Sequence, residues 1–288
     1  YLCPAVFKAI DNDIDNTVFS FIPNTAETAF IGFVDGMNMH LDVIKRHEII
    51  QLGGKVADEK MMALLNRRPR VEKIAVKDAK LRTFITDDTH RDDLVAHVYD
   101  TTYGVVRKTD NLVVIDDSIV RGTTLKQSIL RILDRLGPKK IIVVSSAPQI
   151  RYPDCYGIDM AKLGDFIAFQ ATVEIIRERN MEDLLDEVYE KAKEQMLKPR
   201  EQSVNVVKAI YDPFTPEEIS AKVAQLLRPK EIKSEVEVIY QSIEGLHHSI
   251  PKHLGDWYFT GNYPTPGGHR VANRSFINFM EGKNIRAY

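Results

Sequence analysis

The stretch from 111 to 145 constrains the fold more than any other part of the sequence. Leu112-Val113-Val114-Ile115 is a continuous apolar run, the pattern of a strand covered on both faces. Two acidic residues and a loop, Asp116 to Thr124, follow. Leu125, Ile129, Ile132, Leu133 and Leu136 then recur at helical spacing until Gly137-Pro138 stops the helix. Ile141-Ile142-Val143-Val144 is a second such run. Strand, crossover helix and strand make a βαβ unit, which predicts an α/β chain with a mostly parallel sheet flanked by helices.

The rest of the chain is read against that unit. Residues 18–22 predict a short buried strand ended by Pro23, then a helix from about Thr25 to Asp35 closed by Gly36. Gly53-Gly54 marks a turn, and Glu59 to Asn66 has helical character. Residues 81–86 predict a strand and 87–93 a polar loop. Beyond Ala171 the texture becomes helical. Met181, Leu184, Leu185, Val188, Tyr189, Ala192 and Met196 share one face, with Asn180 as the expected N-cap. Thr215-Pro216-Glu217-Glu218 is a capping box with proline at the first helical position. A strand and a helix start are expected within 236–246. The tail from Asp256 is aromatic and turn-rich. The expected organisation is a core over 1–172, a helical insertion over 173–235, and a C-terminal segment, 236–288, packing back on the core.

Composition removes several classes of function. The 288 residues are 44% hydrophobic and 28% charged, with 39 basic against 41 acidic residues and a formal charge of −2. No global basic excess points to nucleic acid or an anionic membrane, so any phosphate site must be local. The two cysteines, Cys3 and Cys155, make neither a disulfide framework nor a four-ligand metal site, and a reducing, cytoplasmic setting is expected. No apolar run reaches the length of a membrane span, and no signal segment opens the chain. The first residue is Tyr1, which reads as a trimmed start. His247, His248, His253 and His269 cluster only loosely and are expected to be surface or core residues. The charges of 174–202 predict a solvated helix face, and Trp257, Tyr258, Phe259 and Tyr263 a packed cap. Arg67-Arg68-Pro69-Arg70 is too small a cluster to predict nucleic-acid binding.

The chemistry concentrates at the end of the first apolar run, where open α/β sheets bind ligands. Ser118 to Thr124 supplies hydroxyls, a glycine and backbone N–H groups at a helix N-terminus, a phosphate cradle. Asp116 and Asp117 would repel a bare anion. They make sense beside a ligand that also brings hydroxyls and a divalent cation, and 5-phosphoribosyl-1-diphosphate (PRPP) with Mg²⁺ brings both.

Asp116-Asp117 with the small-residue loop is similar to the PRPP signature of type I phosphoribosyltransferases. Several blocks resemble the glutamine amidophosphoribosyltransferase family in its C-terminal, phosphoribosyltransferase half. These are Asp-Asp-Ser-Ile-Val-Arg-Gly-Thr-Thr at 116–124, Ser146 to Pro153, Tyr156 to Met160, Arg82-Thr83-Phe84-Ile85, Ile22 to Ala26, Ser242 to Leu246 and Phe259 to Thr265. The resemblance implies a type I phosphoribosyltransferase fold. It implies that Asp116 and Asp117 hold the ribose hydroxyls and Mg²⁺, with Thr25 as a further magnesium contact, and that Arg82 opens a flexible catalytic loop. It also places Asn24 and Thr25 in the diphosphate loop and gives the 5-phosphate to Ser118, Arg121, Gly122, Thr123 and Thr124. The implied reaction is displacement of diphosphate from ribose C1 by ammonia, at the entry to purine synthesis, in a homo-oligomer.

The sequence also departs from the family. The diphosphate loop reads Asn24-Thr25-Ala26 where an acidic residue is usual. The loop after Arg82 keeps Arg91 but carries His97 and Tyr99 where the family has basic residues. Residues 37–80 are longer than the family's equivalent. No glutaminase sequence accompanies Cys3, so ammonia is expected from a glutaminase domain outside this chain. Two other readings are a non-catalytic PRPP-binding regulator, favoured by His97 and Tyr99, and a salvage phosphoribosyltransferase acting on a base.

Overall fold

The computed structural model describes residues 1–23, 25–53, 57–77, 99–102, 104–157, 160–253 and 255–288. Its elements run, in chain order, α1 (Leu2–Ala9), β1 (Thr17–Phe21), α2 (Glu27–Gln51), α3 (Asp58–Asn66), β2 (Arg70–Val71), β3 (Ala75–Lys77), β4 (Tyr99–Thr101) and β5 (Asn111–Asp116). A π-helical turn (Leu125–Ile129) then leads into α4 (Leu130–Asp134). After it come β6 (Lys140–Ser145), α5 (Ile167–Glu178), α6 (Asp183–Leu197), α7 (Pro216–Leu227), β7 (Glu235–Tyr240), α8 (Ile243–Ser249), α9 (Trp257–Thr260) and α10 (Pro266–Met280). Among the described residues, no helix is long and apolar enough to cross a membrane.

The chain forms two compact units. The first comprises Tyr1–Asp117, Gln127–Ser146 and Glu231–Ile239; the second comprises Ser118–Lys126, Ala147–Lys230 and Tyr240–Tyr288. The boundary expected after residue 172 falls inside α5, whose buried stripe runs unbroken from Ile167 to Ile176.

The first unit is built on the sheet β2-β1-β5-β6-β7. β1 pairs parallel with β2 and β5, and β5 parallel with β6, as the two apolar runs predict. Phe19, Phe21, Val113, Ile115, Ile142 and Val144 point to one face, where they share a core with Val6 and Phe7 of α1 and Phe30, Phe33, Met37 and Leu41 of α2. The alternate residues Val18, Leu112, Val114, Ile141 and Val143 are just as deeply buried, so both faces are covered. Ser20, a polar residue inside β1, accepts a hydrogen bond from the Ile74 N–H (3.2 Å), which satisfies its buried hydroxyl.

The predicted helix at 25–35 is longer than expected. α2 continues through Gly36 to Gln51. A Cβ on Gly36 would lie 2.9 Å from Cys3 Sγ, so this glycine lets α1 pack close rather than ending the helix. Termination comes at Gly53, in the left-handed region at φ +62°.

In the second unit, α5 and α10 meet through Phe169, whose ring packs edge-on against Phe279 at 4.7 Å and against Phe276 at 6.2 Å. The capping box at α7 is present as read. Thr215 accepts from the Glu218 N–H, and Glu218 accepts from the Thr215 N–H. Asn180 is not the cap of α6: it sits in the left-handed region at φ +52°, and its N–H donates to the Arg177 carbonyl, turning the chain after α5. The turn-rich tail contains a 15-residue helix, α10. Pro266 and Thr265 start it, and Gly268 is there because a side chain would collide with the Tyr263 ring.

Candidate functional site

The parallel register brings the carboxyl ends of three strands of the first unit to one edge. Phe21 is paired with Ile115, and Asp116 with Ser145. The Ile22 N–H donates to the Ile115 carbonyl (2.8 Å), so the turn holding Thr25 leaves the sheet beside the end of β5. Thr25 is exposed. Asn24, the other residue expected in the diphosphate loop, lies outside the described residues.

Asp116 closes β5 and Asp117 begins the loop. Ser146 fixes this turn from the end of β6. Its N–H donates to the Asp116 carbonyl (2.9 Å) and its hydroxyl to the Asp117 carbonyl (3.1 Å). The Asp117 N–H donates to Asp116 Oδ1 (3.0 Å). Asp116 is half-buried and Asp117 exposed. Burial first, then the hydrogen bond and negative charge of Asp117, push the Asp116 carboxyl up to about 8. Among the described residues neither carboxylate is paired with a lysine or arginine. Two adjacent carboxylates with no cationic partner are a donor set that fits a hard divalent cation such as Mg²⁺, which takes oxygen ligands and relieves exactly this kind of repulsion.

The residues that follow, Ser118–Lys126, belong to the second unit. Ile119 and Leu125 are buried at 2% and 3%, anchoring the loop at both ends. The Ile167 N–H, at the start of α5, donates to the Val120 carbonyl (2.8 Å). Gly122 is in the left-handed region at φ +70°, and a Cβ there would run into Leu227 of α7. The chain thus needs glycine here twice over, for its backbone angle and for its lack of a side chain. The Lys126 N–H donates to the Gly122 carbonyl (2.9 Å), and Thr123 and Thr124 stand exposed where the helix begins. Ser118 is half-buried. Arg121 forms an ion pair with Asp165, Nε to Oδ2 3.6 Å. Asp165 and Leu227 support the loop from far along the chain, and no local pattern in the sequence marks them.

The block 146–153, which carried part of the family resemblance, builds the interior of the second unit from Ala147 onward. Gln149 donates to the Pro216 carbonyl and to Ser220 Oγ, and accepts from Arg151. Tyr211 donates to the Arg151 carbonyl and Tyr263 to the Pro153 carbonyl. These residues serve as scaffold. Arg82, Arg91 and His97 lie outside the described residues, as do the strand expected at 81–86 and the loop at 87–93. The four histidines disperse. His247 faces Asp256 at 3.0 Å, His248 contacts the Glu244 carbonyl, His253 accepts from the Gly255 N–H, and burial pushes the His269 imidazole below its ordinary value.

No family model matches the chain. Curated proteins do. It is 48% identical over 71 residues to the amidophosphoribosyltransferase of Haemophilus influenzae, covering 25% of this chain and 14% of that protein. It is 40% identical over 87 residues to the Escherichia coli amidophosphoribosyltransferase, covering 27% and 17%. Against the Schizosaccharomyces pombe amidophosphoribosyltransferase it is 39% identical over 85 residues, covering 26% and 16%. The similarity therefore spans well under a fifth of these relatives' length. Among solved structures, a Bacillus subtilis glutamine PRPP amidotransferase complexed with ADP and GMP aligns with 86% of this chain and 38% of its own, at 20% identity and a TM-score of 0.44. Across about a quarter of its length, this chain is a divergent relative of the amidophosphoribosyltransferases.

Proposed function

We propose that the chain binds PRPP and transfers ammonia to ribose C1, giving 5-phosphoribosylamine and diphosphate. The observation that supports it best is the uncompensated Asp116–Asp117 pair at the carboxyl edge of a parallel sheet. The loop Ser118–Thr124 follows directly, and its exposed hydroxyls and backbone N–H groups suit the 5-phosphate. In the reaction the C1–O bond to diphosphate breaks with its electron pair, the N–C1 bond forms, and the ammonia nitrogen loses a proton. Positive charge develops on the ribose ring as the leaving group departs. Fixed carboxylates beside that ring stabilise it without reorganising. Asp116, Asp117 and Thr25 would hold Mg²⁺, which supplies charge neutralisation for the departing diphosphate. The roles of Arg82 and Asn24 rest on the family resemblance alone.

Calorimetric titration with PRPP and Mg²⁺ tests the site: wild type binds, and Asp117→Ala loses at least about tenfold in affinity, as expected for removal of a charged contact. Diphosphate release on adding ammonium salts then tests the reaction. Tight PRPP binding without ammonia-dependent release points to a regulator, and release only with a purine or pyrimidine base points to salvage.

A further inference from the structure

The second unit carries an open surface depression of about 460 Å³ lined by Lys198, Arg200, Gly267 and Arg270. Three of its four lining residues are cations, in a chain whose formal charge is −2. Lys198 follows the last residue of α6, Arg200 opens a 3-10 turn, and Gly267 and Arg270 belong to the first turns of α10. The cluster is held in place. Arg270 donates from Nη1 to the Lys198 carbonyl (3.1 Å) and from Nη2 to the Met196 carbonyl (3.0 Å), so its guanidinium is anchored at the end of α6. Arg200 lies over Gly267, where a Cβ would come within 2.6 Å of a guanidinium nitrogen.

Nothing in the packing explains why three positive charges gather here. Anchoring Arg270 accounts for one of them. Among the described residues none of the three is in an ion pair with a carboxylate, whereas lysines and arginines elsewhere in this unit often are, as at Lys222–Glu178 and Arg179–Glu218. Like charges in one concavity repel, and an anion that bridges them removes the repulsion. Guanidinium groups favour phosphoryl oxygens because their planar N–H forks match them.

We propose that this depression binds a small anion carrying more than one phosphoryl charge, without a metal ion. The inference uses residues that have no part in the function proposed above. The test is calorimetric titration of the full chain with inorganic diphosphate in the presence of EDTA. Wild type is expected to show one saturable site. Lys198→Gln/Arg200→Gln, two exposed positions, should weaken it about tenfold or more. The proposal is overturned if wild type shows no saturable binding, or if the double variant binds unchanged. It is equally overturned if Arg121→Gln abolishes binding that the double variant retains, since the diphosphate would then sit in the loop 118–124.

Discussion

Asp116–Asp117 and the loop 118–124 are consecutive in the chain yet held by opposite means. The aspartate pair is fixed through its backbone, by Ser146, while burial, then the hydrogen bond and charge of Asp117, hold the Asp116 carboxyl well above its ordinary value. The loop is fixed by packing and pairing: buried Ile119 and Leu125, a glycine pressed on Leu227, and Arg121 against Asp165. The first arrangement makes ionising Asp116 costly until a cation is present. The second spends packing to hold donors in a fixed place.

Substitutions sharpen that contrast. Leu227 is 1% exposed, so Leu227→Ala is expected to lower stability by about 2–5 kcal/mol through the cavity it leaves. Chemical denaturation measures this, and a loss below about 1 kcal/mol would mean the loop does not lean on α7. Gly122→Ala should cost roughly 1–3 kcal/mol, from the left-handed backbone and the collision with Leu227. Combining it with Leu227→Ala should recover part of that cost, because the collision is then gone.

The aspartate pair should respond in the other direction. The Asp116 carboxyl is raised from its ordinary 3.8 to about 8. Between those values the folded chain holds a proton that the unfolded chain has lost, so this group makes stability fall as pH rises from about 4 to about 8. Asp116→Asn removes the penalty. Melting temperatures should match wild type near pH 4 and exceed it increasingly toward pH 8, by an amount on the order of 1 kcal/mol or more. A variant less stable than wild type at pH 8 would contradict the raised titration of Asp116. The smallest effect is expected at Asp165→Asn. The Arg121–Asp165 pair is more than a third exposed on both sides, so its loss should change stability by no more than about 0.5 kcal/mol. Its consequence should appear instead in PRPP affinity, through the freedom it gives Arg121.

The sequence revealed those parts of the molecule whose physics is local. The runs 112–115 and 141–144 became β5 and β6 because nothing but a doubly covered strand suits four consecutive β-branched or aliphatic residues of that length. Thr215-Pro216-Glu217-Glu218 became a capping box because all its partners lie within four residues. Asp116-Asp117 was visible for the same reason. The failures involve partners far along the chain. Gly36 read as a helix end because Cys3, 33 residues earlier, could not be seen beside it. Asn180 has the side chain of an N-cap, but its left-handed backbone serves the end of the preceding helix. Asp165 and Leu227 support the loop from 44 and 105 residues away from Arg121 and Gly122, and no periodicity records such distances.

The proposed activity requires that the aspartate pair accept a cation-loaded ligand. The direct measurement is the affinity for PRPP with Mg²⁺ between pH 6.5 and 8.5, in wild type and in Asp117→Asn. The predicted result is an affinity in wild type that climbs as Asp116 gives up its proton and levels off above about pH 8, with binding in Asp117→Asn weaker throughout and less dependent on pH. Equal affinity in the two proteins at every pH would show that the ligand, wherever it sits, does not use these carboxylates.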